Sequence, residues 1–326
     1  MQQLPKLSSK TLSLLKNRKN LLAFSAGVDS SALFFILKSH GIEFDIALVN
    51  YQTRTTSYEE ESYALSLAKR FDKKAFIKRV KLKDKNFEHN ARITRYDFFK
   101  EIIKKEGYNS LITAHQLNDR FEWFLMQLSK GAGVVELLGF DEIKEREDYT
   151  LFRPLANVTK EELEDFLKRN KIKYFIDKSN KDEKYKRNFI RKNFAEPFLK
   201  LYKNGIIKSF EYLNSDKSRL YQPKILYKEK ELYILEKKDD DTENIREIDE
   251  ILKANSILLS NASRRELLNQ KESVVSHKMA VCITKDKIFI APYIKTIMDK
   301  DFKEKCRTAK IPPKIRGYLY QEKIIL

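Results

Sequence analysis

Between Leu21 and Glu122 short apolar runs alternate with stretches of helical apolar spacing, and that alternation leaves few folds open. Residues 21–24 form a run of strand length ending at Ser25-Ala26-Gly27. Residues 30–38 then carry Ala32, Leu33, Ile36 and Leu37 at helical spacing. Residues 44–49 repeat the strand pattern, a helical stretch covers 58–71, and a third strand is expected over 74–80. A helix over 91–106, a strand over 110–114 and a long helix from near Asp119 continue the series. Strands joined through helices pair in parallel and are covered on both faces, so the pattern predicts a doubly wound, mostly parallel α/β sheet. Ligands of such sheets lie beyond the carboxyl ends of the strands, where Ser25, Asn50 and His115 fall.

Further along, residues 159–170 predict an amphipathic helix appended to this domain, with Thr159 as N-cap and Glu162 completing a capping box. After Gly205 the pattern changes. Residues 224–237 alternate like a hairpin, 238–243 form a charged connection, and two helical stretches precede a second hairpin at 281–290. The boundary is therefore placed near Gly205, giving a domain of residues 1–205 and a smaller α+β domain of residues 206–326. A chain of 326 residues with 42% hydrophobic side chains can bury two such cores.

Lys and Arg number 65 against 47 Asp and Glu, a formal charge of +18. Such an excess suits a polyanion, although a lysine-rich solvated surface accounts for it equally well. From Lys253 to Lys323 there are 16 basic and 7 acidic residues, which favours a binding surface in the second domain. Cys282 and Cys306 lack the paired spacing of a zinc or redox motif, consistent with a reducing compartment, by default the cytoplasm. The first ten residues offer no apolar stretch for a signal peptide, and no run approaches the roughly 20 apolar residues of a membrane span. A soluble protein without membrane association is expected.

Chemistry concentrates in a few segments. Ser25-Ala26-Gly27-Val28-Asp29-Ser30-Ser31, between strand and helix, has small residues that let backbone wrap an anion, hydroxyl donors, and the amides of a helix start. It lacks the Lys-Ser/Thr ending of a Walker loop. Asp119 and Glu122, at i and i+3, share a helix face that can hold a lysine ammonium or a magnesium ion, unless the face is merely solvated. Arg92 and Arg95 offer planar forks for carboxylate or phosphate. Arg187 and Arg191, one helical turn apart beside Lys184, Lys186 and Lys192, suit contact with nucleic-acid phosphates. His40, His89 and His277 show no ligand spacing.

The first of these segments resembles the pyrophosphate loop of the N-type ATP pyrophosphatases, the PP-loop superfamily, usually S-G-G-x-D-S, with Ala26 in place of one glycine. Thr113-Ala114-His115-Gln116-Leu117-Asn118-Asp119-Arg120-Phe121-Glu122 resembles the signature T-A-H-H-x-D-D-Q-x-E-T of the tRNA(Ile)-lysidine synthetases. His115, Asp119 and Glu122 match; Gln116, Asn118, Arg120 and the following Trp123 depart. Lys130-Gly131-Ala132-Gly133, Phe152-Arg153-Pro154-Leu155, Ala91-Arg92 with Arg95-Tyr96, and Asp177-Lys178-Ser179-Asn180 followed by Arg187-Asn188-Phe189-Ile190-Arg191 match further family motifs in order. Arg54 aligns with the arginine of the family's H-G-L-R segment.

The resemblance implies an adenine nucleotide alpha hydrolase-like fold and a ligase that joins L-lysine to C2 of the wobble cytidine of the CAU-anticodon isoleucine tRNA. An adenylated cytidine is the intermediate, AMP and pyrophosphate are released, and codon reading switches from AUG to AUA. It implies ATP and Mg²⁺, with Ser25, Ala26, Gly27, Val28, Asp29, Ser30, Ser31, His115, Lys130 and Gly131 around ATP and pyrophosphate, and Asp29 at the metal. Asp29, Asp119 and Glu122 are the catalytic candidates. Arg92, Asp119 and Glu122 are expected to hold lysine, and Arg187, Arg191 and Lys192 the tRNA, together with the basic second domain. The sequence leaves the oligomeric state open, a homodimer included. Two other readings compete. A PP-loop tRNA thiolase generally needs active-site cysteines, and this chain has none before Cys282; a non-catalytic tRNA-binding protein would account for the departures at Ala26, Gln116, Asn118 and Arg120.

Overall fold

The computed structural model describes residues 4–53, 56–82, 87–176, 186–220, 224–255 and 257–325. They form two compact units, Met1–Ser218 and Arg219–Leu326. The first unit is ordered α1 (Ser9–Lys16), β1 (Asn20–Ala23), α2 (Val28–Ser39), β2 (Phe44–Asn50), α3 (Thr56–Arg70), β3 (Ala75–Arg79), α4 (Phe87–Glu106) and β4 (Ser110–Ile112). There follow α5 (Leu117–Leu128), α6 (Val134–Leu137), β5 (Ile143–Glu145), β6 (Thr150–Phe152), α7 (Lys160–Arg169), α8 (Lys186–Ile190), a π-helical turn (Arg191–Ala195) and α9 (Glu196–Leu220).

Its sheet has the order β3-β2-β1-β4-β6-β5, parallel throughout except for β5 at the edge. Successive strand residues point to opposite faces. Leu22, Ile46, Ile112 and Phe152 therefore join α2, α3 and α7 in one core, and Leu21, Ala47, Leu111 and Leu151 join α4 in the other. The sheet is doubly wound as the sequence predicts. The chain leaves β1 outward through β2 and β3, then returns to β4 on the other side of β1. That reversal opens a crevice beyond the carboxyl ends of β1 and β4.

The capping box that starts α7 is present, Thr159 accepting from the Glu162 amide while Glu162 accepts from that of Thr159. Gly205 is not a boundary. It lies inside α9, which departs from helical torsions at Tyr202 (φ −127°, ψ 23°) and runs on to Leu220. The units divide at Ser218, thirteen residues beyond the position expected from the change of pattern.

The second unit comprises β7 (Ile225–Glu229), β8 (Leu232–Glu236), α10 (Asp241–Ala254), α11 (Asn261–Gln270), β9 (Glu272–Val275), β10 (Met279–Ile283), β11 (Lys287–Pro292), α12 (Lys300–Thr308) and α13 (Pro313–Glu322). Its antiparallel sheet has the order β7-β8-β11-β10-β9. Alternate residues again divide: Met279, Val281 and Ile283 pack with α10 and α11, Ala280 and Cys282 with α12 and α13. Both expected hairpins are present. The connection over 238–243 is shorter than its charge suggests, because Asp240 caps α10 by accepting from the Thr242 amide. No helix among the described residues is long and apolar enough to cross a membrane.

Candidate active site

A cavity of about 560 Å³ lies at the crevice, bounded by the loop after β1, the ends of β2 and β4, and the first turns of α5 and α7. The Ser25–Ser31 loop is stitched by its own hydrogen bonds. Ser30 Oγ accepts from the Ser25 amide at 3.2 Å and lies 3.1 Å from Ser25 Oγ. The Phe175 amide donates to the Ala26 carbonyl at 3.0 Å, and Gly27 bridges Phe175 in parallel. Ala26, fully buried, has φ +59°, the left-handed region that the usual glycine enters freely. The alanine keeps the glycine's torsion at a cost of roughly 1–2 kcal/mol.

Gly27 is the N-cap of α2 and offers no side-chain oxygen, so the amides of that helix start have no such cap. Ser25, Gly27, Val28, Asp29 and Ser30 line the cavity. Ala26 and Ser31 do not; Ser31 is fully buried one turn into α2, its hydroxyl without a partner. Asp29 is the unusual group. One of its carboxylate oxygens is buried and unpartnered. Burial, and after it the neighbouring Asp119, push its pKa up to about 7 against the pull of Lys160 and Arg191. A buried carboxylate short of a partner, facing a second carboxylate, is a donor set suited to a hard divalent cation. Among the described residues no group of three or more His, Cys, Asp or Glu is arranged to hold a metal alone, so further ligands would come from phosphate oxygens or water.

Asp119 and Glu122 do share one face of α5, and both line the cavity. Their partners differ from those the sequence suggests. Arg187 donates through Nη2 to Asp119 at 2.5 Å and through Nε to Glu122 at 2.8 Å, and Arg191 donates through Nε to the other oxygen of Glu122 at 2.6 Å. Glu122, fully buried, is saturated by two guanidiniums. It is thus not an open site for a lysine ammonium in this arrangement. Asp119 is also the N3 residue of the α5 capping box, accepting from the Gln116 amide at 3.1 Å. Burial works against both arginine charges, yet the two carboxylates outweigh it and raise both pKa values. Arg187 and Arg191, expected on tRNA phosphates, instead turn into the cavity; a helical spacing of charge does not say which way the helix faces. Lys192, beside them, is exposed and outside the cavity lining.

Arg92 and Arg95 on α4 line the cavity, with Arg92 lying over the Tyr96 ring at 4.9 Å. His115 follows β4, its Nδ1 3.0 Å from Thr113 Oγ1 and its ring edge-on to Phe140. Burial first, and then the nearby Arg153, hold His115 down to about 3, so it is a neutral imidazole. Lys130 and Gly131 do not line this cavity. They form the turn that closes α5, whose 12 residues place it about 18 Å from the first turn. Arg54 and Asp177-Lys178-Ser179-Asn180 lie outside the described residues.

Three departures from the family signature have structural work. Gln116 caps α5 by accepting from the Asn118 amide at 2.6 Å, and Asn118 in turn accepts from the Lys160 amide at 3.1 Å, joining the starts of α5 and α7. Arg120, buried, lies over the Phe210 ring of α9 at 4.1 Å and donates to Asn157 at 3.0 Å. Two residues went unnoticed in the sequence. Lys160 brings a cation to the cavity beside Asp29. Glu61, buried, holds Arg79 and accepts from Asn50 at 2.7 Å, fixing the carboxyl end of β2.

Residues 2–197 match the family described as the PP-loop domain. A tRNA(Ile)-lysidine synthase of Campylobacter jejuni is 45% identical, covering 98% of this chain and 97% of that protein. One from Wolinella succinogenes is 44% identical over 94% of each chain. The chain belongs to the tRNA(Ile)-lysidine synthase family. Its fold is shared with a solved U34-tRNA thiolase from Methanococcus maripaludis, at a TM-score of 0.51, 18% identity and coverage of 63% of this chain and 76% of that one. Membership accounts for a PP-loop domain that uses ATP.

Proposed function

We propose that the protein ligates L-lysine to C2 of the wobble cytidine in an isoleucine tRNA, cleaving ATP to AMP and pyrophosphate. The observation that carries this reading is the convergence of the Ser25–Ser31 loop, Asp29, Asp119 and the Arg92/Arg95 pair on one cavity, in a chain similar from end to end to lysidine synthases. The C2 oxygen of cytosine is a poor leaving group, and AMP transfer to it makes displacement by an amine feasible.

The loop amides and Ser25 hold the β- and γ-phosphates, while Lys160, Arg187 and Arg191 balance their charge. Asp29, with Asp119 nearby, fits Mg²⁺; the ion supplies charge neutralisation at the phosphates. Arg92 offers its fork to the lysine α-carboxylate. The ε-ammonium, with a reference pKa of about 10.4, must lose a proton before attack. In this reading Asp119 orients it and accepts that proton once the half-exposed Arg187 yields, whereas Glu122 anchors the two arginines. His115, neutral, packs beside the nucleotide. The second unit contributes a tRNA surface.

Pyrophosphate release that requires the isoleucine tRNA, with lysine then entering the RNA, is the decisive assay. Release with no lysine incorporated, or none with any tRNA, would overturn the reading. The thiolase alternative finds no support, since both cysteines are buried in the second unit and burial pushes the Cys282 thiol up to about 12.

A further inference from the structure

The stretch from Lys186 to Ser218 carries eight basic and three acidic residues, a charge of +5 in 33 residues. The whole second unit, with 23 basic and 17 acidic, carries +6 in 108. The denser positive charge of the two lies on α8, the π-helical turn and α9. The same segment exposes large apolar side chains. Phe194, Phe198 and Tyr202 recur at four-residue spacing, with Leu201 72% exposed beside them and Tyr212 62% exposed further along. The Phe198 and Tyr202 rings pair at 4.9 Å, and Lys208 Nζ lies 4.8 Å from the Tyr212 centroid.

An apolar face made for another protein surface is depleted in lysine at its centre. Here Lys208 lies over the Tyr212 ring, and the exposed Lys192 and Lys200 alternate with the rings along the sequence. Rings that stack bases, set among cations that follow a backbone, are the arrangement single-stranded nucleic acid requires. The segment is also continuous with the reaction centre, since Arg187, Arg191 and Glu196 line the cavity. We propose that this aromatic and basic face of α9 receives the unpaired loop of the substrate RNA, stacking its bases so that one nucleotide can be turned into the cavity. The proposal rests on the RNA-modifying reading given above.

The test is Phe194→Ala/Tyr202→Ala/Tyr212→Ala, all exposed positions, in the full chain, titrated against a fluorescent RNA hairpin bearing the CAU anticodon loop. Binding should weaken by about 10-fold or more with the salt slope unchanged, because the substitutions remove stacking and leave the cations on the phosphates in place. Lys192→Ala/Lys200→Ala/Lys208→Ala should weaken binding and also flatten the salt slope, by about 0.7 for each phosphate no longer neutralised. ATP affinity should stay within about 2-fold in both. Tyr202→Trp, which keeps a stacking ring at that position, should bind within about 2-fold of wild type, with indole fluorescence quenched by the RNA. Wild-type hairpin affinity in the aromatic variant overturns the proposal. So does a wild-type oligomer that the variant dissociates in sedimentation, which would give the face to a second copy of the chain. Absence of lysidine formation by wild-type protein would count against the reaction assigned above, whereas the hairpin titration judges the surface by itself.

Discussion

Asp29 combines burial, an unmatched carboxylate oxygen and a second carboxylate nearby, a combination that is costly unless a cation completes it. Asp29→Asn should reduce pyrophosphate release by on the order of 100-fold or more while leaving tRNA binding close to wild type. The same variant should melt several degrees higher in metal-free buffer, since it no longer buries a charge. Release at the wild-type rate would remove Asp29 from the reaction. His115 gives a pH test with a definite sign. Its folded pKa of about 3 lies below the ordinary 6.5, so between those values the unfolded chain takes up a proton that the folded chain refuses. Stability from this residue is therefore complete above about pH 6.5 and is lost as pH falls toward 3, by up to about 1.4 kcal/mol per pH unit. Ring NMR signals of His115 should not titrate between pH 5 and 8, and a midpoint near 6.5 would show that the imidazole is hydrated. At this scale the sequence was a good guide to which residues gather and a poor one to what each does there. Asp119 and Glu122 were legible from spacing, but their pairing with Arg187 and Arg191 spans 65 positions or more and leaves no local signal.

Between elements, packing sets the tolerances. A Cβ on Gly317 in α13 would stand 2.0 Å from the Ile294 carbonyl oxygen, and backbone cannot swing aside as a side chain can. Gly317→Ala should destabilise the second unit by about 1–3 kcal/mol or more, lowering its melting transition and leaving that of the first unit in place. An unchanged melting profile would mean that the approach relaxes at no cost. Arg120→Ala removes a buried guanidinium stacked on Phe210, so it should lower the stability of the first unit by about 2 kcal/mol without altering ATP affinity. What the sequence reveals of the elements is partial. The helices α2, α3, α4, α5, α7, α10 and α11 and the strands of both hairpins are legible by period, whereas β5 and β6, with three residues each, are too short to establish one, and β9, α1, α9, α12 and α13 are likewise not read from the sequence. The π-helical turn at Arg191–Ala195 likewise has no spacing signature, yet it resets the helix so that Ala195, Leu199 and Ile206 face α5.

For the molecule as a whole, the charge that pointed to residues 253–323 is diluted once α10 is counted, for Asp240 to Glu250 sit in the same unit. Truncation after Ser218 therefore removes +6 of the +18 and should weaken tRNA binding and reduce its salt slope, with lysine and ATP binding retained. An unchanged slope in a folded truncation would assign that charge to solubility. The sheet of the second unit also sets a pace. β7–β8 and β10–β11 are local hairpins, but they join through β8 and β11, whose nearest paired residues, Glu236 and Lys287, are 51 positions apart. Closing that distance costs roughly 3–4 kcal/mol of chain entropy before the central ladder repays any of it. Refolding of this unit should be limited by a single late closure: substitutions along the β8–β11 seam slow it, while changes at the tip of either hairpin alter mainly the rate of unfolding.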